Sequence, residues 1–250
     1  MESKVDTIAH LRNRIAAIPG RPNDPRLRPS STARGLHTET ARPPALGAAR
    51  GVLPVPEPLA PLLPHGGLLR GSTVHVTGAT ALRLGLLASV TGSGGWAGVI
   101  GSPNLGLLAG VEMGADLARC ALVPDPGADP LAVAAVLLDG LDLVVLSLGG
   151  ASIPPSRARA IAARTRNNGA VLVVAEGSWP TVDLNLDAQV AGYRGLGGGD
   201  GGRITGLDLT VEARARGRLP QRGNITLAGH SDGLRWISRP AAPGMLKVAQ

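Results

Sequence analysis

A glycine that follows an apolar run is the first place where this sequence could hold a phosphate. Gly78 comes directly after Ser72–Thr77, a run that predicts a buried strand. In α/β folds the backbone amides of such a turn, together with the start of the next helix, bind phosphate. A P-loop also requires a second glycine, a Lys for the β- and γ-phosphates and a Ser or Thr for Mg²⁺, whereas the corresponding places hold Arg83, Leu84 and Gly85. Both lysines of the chain lie close to a terminus, so we expect a degenerate P-loop, no cofactor and no resident metal.

Other catalytic arrangements find no support in the sequence. A short-chain dehydrogenase needs a Tyr with a Lys four residues later, but Tyr193, the only tyrosine, is followed there by a glycine. The glycines of residues 197–202 match G-x-G-x-x-G by chance, because no strand precedes them. The histidines lack metal-ligand spacing, Cys120 lies in an apolar strand as an inert core residue, and helix capping is the expected role of Asp139 and Asp142. We therefore predict no catalytic residue and no enzyme activity.

Composition and charge limit the classes of protein to which this chain could belong. The chain has 250 residues, 44% of them hydrophobic and 17% charged, which is enough to bury the core of one globular domain. Its net charge of +7 is concentrated at the ends, since residues 1–50 carry +5, residues 51–202 carry −3 and residues 203–250 carry +5. Basic ends are typical of contact with nucleic acid or with an acidic partner. The single cysteine excludes a disulfide framework, and the N-terminus lacks the apolar stretch of a signal peptide, which predicts a cytoplasmic protein.

The sequence predicts four parts. Apolar residues three and four apart predict an N-terminal helix within residues 1–20. Residues 21–52 are rich in Pro, Arg, Ser, Thr and Ala and predict a flexible basic linker. Residues 53–240 predict the folded domain, and residues 241–250 a C-terminal tail.

Strand and helix patterns alternate through the folded part. The predicted strands are Ser72–Thr77, Ala97–Gly101, Cys120–Val123, Leu141–Leu148 and Ala170–Ala175, and their continuous apolar character indicates burial on both faces. The predicted helices are Ala81–Thr91, Leu105–Gly114, Asp129–Asp139 and Ser156–Asn168, the last capped by Gly169. Further strands are predicted at Leu207–Ala215, Ile225–Leu227 and Gly233–Ile237. This order predicts an α/β fold with a mainly parallel central sheet flanked by helices and with antiparallel strands at its C-terminal end.

Three segments in this order are similar to the core of the RecA recombinases. Gly66–Gly78 resembles the segment that leads into their P-loop, and Gly114–Pro126 resembles the stretch before their third helix. Leu141–Ser147 resembles the strand that carries their metal-binding Asp. The resemblance extends from about Leu59 to about Arg239 and implies a RecA-like core.

The same resemblance implies that the catalytic groups of the recombinases have been replaced. Ser147 stands at the position of the magnesium-binding Asp, and Pro103 stands near that of the water-activating Glu. Gly177 falls near the position of the Gln that senses the γ-phosphate. ATP hydrolysis needs neutralised charge and an oriented water, and these replacements remove both.

An inactive RecA-like chain with a helical N-terminus and a Pro/Arg linker resembles the ImuA and ImuA′ group, the mycobacterial type of mutasome accessory protein. The resemblance implies a non-catalytic partner in SOS-induced translesion DNA synthesis, a mutagenic form of DNA repair. Its implied partners are an ImuB-like homologue of Y-family polymerases and an error-prone C-family DNA polymerase. Two alternatives remain open: an inhibitor of cell division that resembles SulA, and a DNA-binding module in its own right.

Two surfaces could bind the partner or DNA. Strand alternation predicts that Arg214, Arg216 and Arg218 share one strand face and grip phosphates or carboxylates. The glycine-rich stretch 195–202 falls where RecA-like proteins carry a mobile DNA-contacting loop. The full set of candidate contact arginines is Arg194, Arg203, Arg214, Arg216, Arg218 and Arg222. The second surface is the N-terminal helix, which could pack on another chain or on this chain's own core through Val5, Ile8, Ile15 and Ile18.

Overall fold

The computed structural model describes residues 51–195 and 204–239. The predicted N-terminal helix with Val5, Ile8, Ile15 and Ile18 therefore lies outside the described residues. The predicted linker up to residue 50, the glycine-rich stretch from residue 196, Arg203 and the C-terminal tail lie outside them as well.

Nine strands of the described residues form one sheet. A separate two-stranded antiparallel sheet joins β1 to β2. The bounds are β1 Val52–Leu53, β2 Leu68–Leu69, β3 Thr73–Gly78, β4 Ala97–Ile100, β5 Cys120–Val123, β6 Leu143–Ser147, β7 Val171–Ala175, β8 Leu184–Arg194, β9 Gly206–Ala215, β10 Gln221–His230 and β11 Gly233–Arg239. The order across the large sheet is β11-β10-β9-β8-β3-β7-β6-β4-β5. Neighbours from β8 to β5 run parallel and those from β8 to β11 antiparallel, which confirms the predicted fold class.

Four α-helices of the described residues flank this sheet: α1 Thr80–Gly92, α2 Leu107–Glu112, α3 Pro130–Leu137 and α4 Pro155–Asn168. Two 3-10 helices lie at Glu57–Leu62 and Leu117–Arg119. The Asp129 side chain caps α3 by accepting from the Ala132 amide, and Gly169 ends α4 at a φ of 63°, as predicted for a left-handed cap. No helix in residues 51–195 or 204–239 is long and apolar enough to cross a membrane.

The central strands are apolar on both faces because each face is covered. Every residue of β6 and β7 is buried. Alternate residues face opposite cores: Val145 and Val173 pack into the core that α1 covers, while Val144 and Val174 pack into the core under α3 and α4. Period-two alternation of β side chains thus gives two apolar layers, one on each side of the sheet.

The sequence pattern did not predict the two short strands β1 and β2 or one strand of the large sheet, and it made β10 too short. β8 was not predicted, although it joins the parallel part of the sheet to the antiparallel part. Leu184 and Leu186 are buried, but Asn185 is exposed and Asp187 is only half-buried, so the segment lacks the continuous apolar run of its neighbours. β10 extends well beyond the predicted Ile225–Leu227, because cross-strand pairing with β9 and β11 holds its polar ends.

Candidate functional site

The connection between β3 and α1 is a single residue. Gly78 is the last residue of β3, and α1 begins at Thr80. The Ala79 amide donates to the Ala188 carbonyl of β8 across 2.7 Å. Gly78 has a φ of 80°, and a side chain there would overlap that same carbonyl oxygen. A P-loop wraps a phosphate with the amides of several consecutive loop residues, so a turn this short cannot form one.

The arginine in the first turns of α1 points back to the end of the sheet. Arg83 is buried, with 9% of its side chain exposed, and its Nη1 donates to Oε1 of Glu176 across 2.8 Å. Its Nη2 donates to the Thr80 hydroxyl at 2.9 Å. The guanidinium is therefore held by an ion pair and a hydrogen bond inside the protein.

The Ser147 hydroxyl completes the arrangement by donating to Oε2 of Glu176 across 2.6 Å. Ser147 is the last residue of β6 and pairs with Ala175, the last residue of β7, so Glu176 directly follows that pair. Hydrogen bonds from Ser147 and then from Arg83 hold the pKa of Glu176 below its ordinary value, because both favour the charged carboxylate. We call these three side chains the Arg83–Glu176–Ser147 network.

The network occupies the edge of the sheet where α/β proteins bind ligands. β3, β7 and β6 are adjacent parallel strands, and their carboxyl ends lie at one edge. Ligands of open α/β sheets bind in the crevice outside the carboxyl ends of the strands. Here an internal ion pair and two hydrogen bonds fill that position, and the cation and the carboxylate neutralise each other.

The backbone at Glu176 adopts a conformation that non-glycine residues rarely take. Its φ is 53°, and among residues 51–195 and 204–239 it is the one non-glycine residue with a positive φ. The Glu176 carbonyl accepts from the Gly150 amide. Such strain persists where the surroundings over-determine it, and here the side-chain and backbone bonds of Glu176 do so.

The other residues of the degenerate P-loop have packing roles. Leu84 is buried in the helix. Gly85 faces β11, where a Cβ would lie 2.6 Å from the indole of Trp236. Gly85 is therefore required for close contact between α1 and the antiparallel end of the sheet.

The other two residues that the resemblance places at catalytic positions, Pro103 and Gly177, are not part of the network. Pro103 lies exposed in the turn after β4. Gly177 follows Glu176, and its carbonyl accepts from Nε2 of His75 at 3.1 Å. Sequence reasoning thus came within one residue of Glu176 and missed it. An acidic residue directly after a fully apolar strand is the signal that could have identified it.

The predicted row of three arginines on one strand face is wrong. β9 ends at Ala215, so Arg216 and Arg218 lie in the following turn. Arg214 remains on the strand, where it pairs with Glu212. Arg222 of β10 pairs with the same carboxylate at 2.6 Å, so these two candidates are neutralised in part by one acid. Hydrogen bonds from Arg222 and Arg214 hold the pKa of Glu212 below its ordinary value.

Arg194 is also engaged within the sheet. Its Nε donates to Asp208 at 2.9 Å, and its Nη2 donates to the Thr226 hydroxyl at 3.2 Å. About half of its side chain remains exposed at 47%. It is the last residue of β8, two positions before the stretch 196–203 that the structure does not describe.

Asp139 and Asp142, for which helix capping was the expected role, join separate segments of the chain. Asp139 pairs with Arg164 of α4, which ties α4 to the end of α3. Asp142 accepts from the Trp96 amide at 2.9 Å and from Arg70 at 2.9 Å, so it joins three segments at the amino ends of the strands.

Cys120 is half-buried at the outer strand β5, and burial raises the pKa of its thiol. Within the described ranges no group of His, Cys, Asp and Glu is arranged to hold a metal ion.

Comparison with known proteins assigns the chain to a family. Residues 61–181 match the family model of the MT3502 N-terminal domain, and these residues include all three members of the Arg83–Glu176–Ser147 network. The chain is also 48% identical over 163 residues to a Mycobacterium tuberculosis protein named uncharacterized protein Rv3395c, a match that covers 62% of this chain and 80% of that protein. The chain therefore belongs to the family of proteins with an MT3502 N-terminal domain.

Proposed function

We propose that this protein is a catalytically inactive, RecA-type accessory protein of a DNA-damage-induced mutasome, related to the ImuA and ImuA′ group. It acts by protein contacts with an ImuB-like polymerase homologue and an error-prone C-family DNA polymerase. The Arg83–Glu176–Ser147 network is the single observation that carries the proposal, because it fills the ligand-binding edge of the sheet with groups that bond one another.

The chemistry of the network argues against phosphoryl transfer. An ATPase needs free cationic charge to neutralise the β- and γ-phosphates. The buried Arg83 cation already has Glu176 as its counter-charge, and that carboxylate would repel a phosphate brought to the same place. Ser147 donates to Glu176 and lacks the carboxylate that would hold magnesium.

The mixed sheet supports the proposed relationship to RecA-type proteins. Its parallel part carries a helix after β3, as a nucleotide-binding core does, and the antiparallel strands follow from β8 onward. The two apolar cores supply most of the stability of this architecture. Loss of catalysis is therefore compatible with retention of the fold.

The first experiment measures nucleotide binding and turnover by the purified full chain with ATP and Mg²⁺. We expect no phosphate release above the buffer value and no change in the fluorescence of a labelled ATP analogue. Phosphate release that disappears in an Arg83→Ala variant with an unchanged thermal unfolding curve contradicts the proposal.

The second experiment identifies the partner. The tagged chain is purified from its own cells after DNA damage, and we expect it to bring down the ImuB-like adaptor. Recovery of a tubulin-like division protein in its place supports the SulA-like alternative. Recovery of neither, together with salt-dependent retardation of DNA in gels, supports a DNA-binding module.

A further inference from the structure

A cavity of about 210 Å³ opens at the edge of the sheet opposite the Arg83–Glu176–Ser147 network. It lies where β3 and β8 begin and β9 ends, with Ser72, Leu184 and Ala215 in its wall. Pro64 and Leu69 complete an apolar lining. The cavity is therefore independent of the ligand-binding edge described above.

Two arginines at this cavity make no ion pair within the described residues, a property that they share with Arg159 of α4. Nine arginines make ion pairs within the described residues. Arg216 and Arg218 line the cavity, are exposed, and make no ion pair with any residue of 51–195 or 204–239. Leu219 follows them and is 82% exposed, more than any other large hydrophobic residue that the structure describes. Arginine is enriched at protein interfaces, so two unpaired guanidiniums at the rim of a cavity indicate a surface that can bind a partner.

Backbone hydrogen bonds fix the turn that carries these arginines. The Arg216 amide donates to the Asp183 carbonyl at 3.1 Å, and the Arg218 amide donates to the Ala215 carbonyl at 3.2 Å. Asp183 is the one acidic residue of the lining, and its Oδ2 accepts from the Thr73 amide at 2.9 Å. His65 also lines the cavity. The two guanidiniums thus outnumber the single carboxylate, and the cavity attracts an acidic ligand.

We propose that this cavity binds an acidic segment of a partner protein, with one apolar side chain of the segment in the cavity and its flanking Asp or Glu carboxylates on Arg216 and Arg218. The inference rests on the proposed accessory function and names the chemistry of the partner. Apolar anchors in pockets and arginines at their rim dominate the energetics of such interfaces. Single-stranded nucleic acid fits less well, because its bases stack best on large aromatic side chains, and in the described part of the chain no Trp, Tyr or Phe lines this cavity.

The test measures binding of labelled peptides to the full chain by fluorescence anisotropy. One peptide carries a central Leu between Asp and Glu residues, a second has Ala in place of that Leu, and the competitor is oligo-dT. We expect saturable binding of the Leu peptide, binding about tenfold weaker for the Ala peptide, and no displacement by the oligonucleotide. Equal binding of the two peptides, or displacement by oligo-dT, overturns the proposal.

Matched variants assign the binding to the cavity. Arg218→Glu should weaken binding of the Leu peptide by about tenfold or more. The control is Arg159→Glu, which makes the same change of charge at an exposed α4 residue that has no ion pair in the described residues, and it should leave peptide binding unchanged. Ala215→Met fills the cavity from the end of β9 and should remove the preference for Leu over Ala. Thermal unfolding checks that each variant is folded. Arg218→Ala is measured as a second variant of the same residue, in case Arg218→Glu does not fold. Binding unchanged by both Arg218 variants contradicts the proposal.

The same variants separate this inference from the proposed function. If Arg218→Glu still captures the ImuB-like adaptor at the wild-type level, the cavity is not the docking site and the accessory function stands. If the wild-type chain captures no adaptor, the proposed function fails. Peptide binding that persists in that case identifies a docking site for a different acidic partner.

Discussion

The Arg83 guanidinium and the Glu176 carboxylate lie 93 positions apart in the sequence and meet at 2.8 Å. The pair is unequally exposed, with 9% of the Arg83 side chain and 51% of the Glu176 side chain accessible to solvent. Water can therefore solvate the acid but not the base when either loses its partner. We therefore expect loss of Glu176 and loss of Arg83 to lower the free energy of unfolding by different amounts.

Removal of the acid should cost more stability than removal of the base. Glu176→Ala leaves a buried guanidinium without a counter-charge, and we expect a loss of about 1–2 kcal/mol after allowance for the exposed half of the pair. Arg83→Met replaces the buried cation with an apolar chain and should cost less than about 1 kcal/mol. Urea unfolding at neutral pH measures both values. A larger loss for Arg83→Met would mean that the cation is stabilised by something other than Glu176.

The left-handed backbone at Glu176 gives a second prediction. At a φ of 53° alanine is strained and glycine is not. Glu176→Gly should therefore be more stable than Glu176→Ala by about 0.5–1 kcal/mol, although glycine gains entropy in the unfolded chain. Urea unfolding of the two variants side by side checks it, and the opposite order would show that the backbone strain is absent.

The hydrogen bond from Ser147 should make stability depend on pH. The pKa of Glu176 is lowered in the folded state, so the group contributes fully above the ordinary Glu pKa of about 4.3, and its contribution is lost as the pH falls through the lower folded-state pKa. Ser147→Ala removes the first cause of that shift. We expect the stability difference between wild type and Ser147→Ala to be largest near pH 7 and to shrink on acidification below about pH 4.3. A difference that is constant from pH 7 to pH 3 counts against an ionised Glu176 as the acceptor.

Gly78 should tolerate no side chain, because a Cβ there would overlap the backbone of β8 and because its φ is positive. Gly78→Ala places a methyl group against the Ala188 carbonyl, and we expect a loss of about 3 kcal/mol or more. Gly94 has a similar φ of 91° with open space around it, so Gly94→Ala should cost only about 1 kcal/mol. Equal losses in chemical denaturation would contradict the close approach of β3 to β8.

Trp236 should stabilise the protein by packing alone. Its Nε1 is buried and has no hydrogen-bond partner among the described residues. Trp236→Phe removes that unpaired donor and keeps an aromatic ring between α1 and β11, so we expect a change within about 1 kcal/mol. Trp236→Ala opens a gap between α1 and β11 and should cost about 3 kcal/mol. A large loss in Trp236→Phe would reveal a hydrogen bond to the indole.

The elements that the sequence predicted correctly are those that residue type and short-range spacing determine. Continuous apolar runs identified β6 and β7, and a glycine in a left-handed cap identified the end of α4. β8 escaped notice because only one of its faces is apolar. The bounds of β9 depend on its pairing with β8 and β10, so the positions of Arg216 and Arg218 could not be obtained from alternation alone.

The candidate site shows the same division. Gly78 could be singled out in the sequence because it follows a predicted strand, and Arg83 and Ser147 because they stand where phosphate chemistry requires other residues. Glu176 could not, because its importance depends on adjacent strands β6 and β7 ending at the same level and on α1 turning Arg83 toward them. The cavity at the other edge arises in the same way, from segments far apart in the chain.

The order of amino acids by itself determined the α/β alternation, the missing P-loop groups and the basic ends, since each follows from residue type and short-range spacing. Only the tertiary structure decided that Arg83 has an acidic partner and that Arg216 and Arg218 have none among the described residues. The physical reason is that charge pairing depends on distance in space, and the sheet brings together residues that the sequence separates by a hundred positions or so.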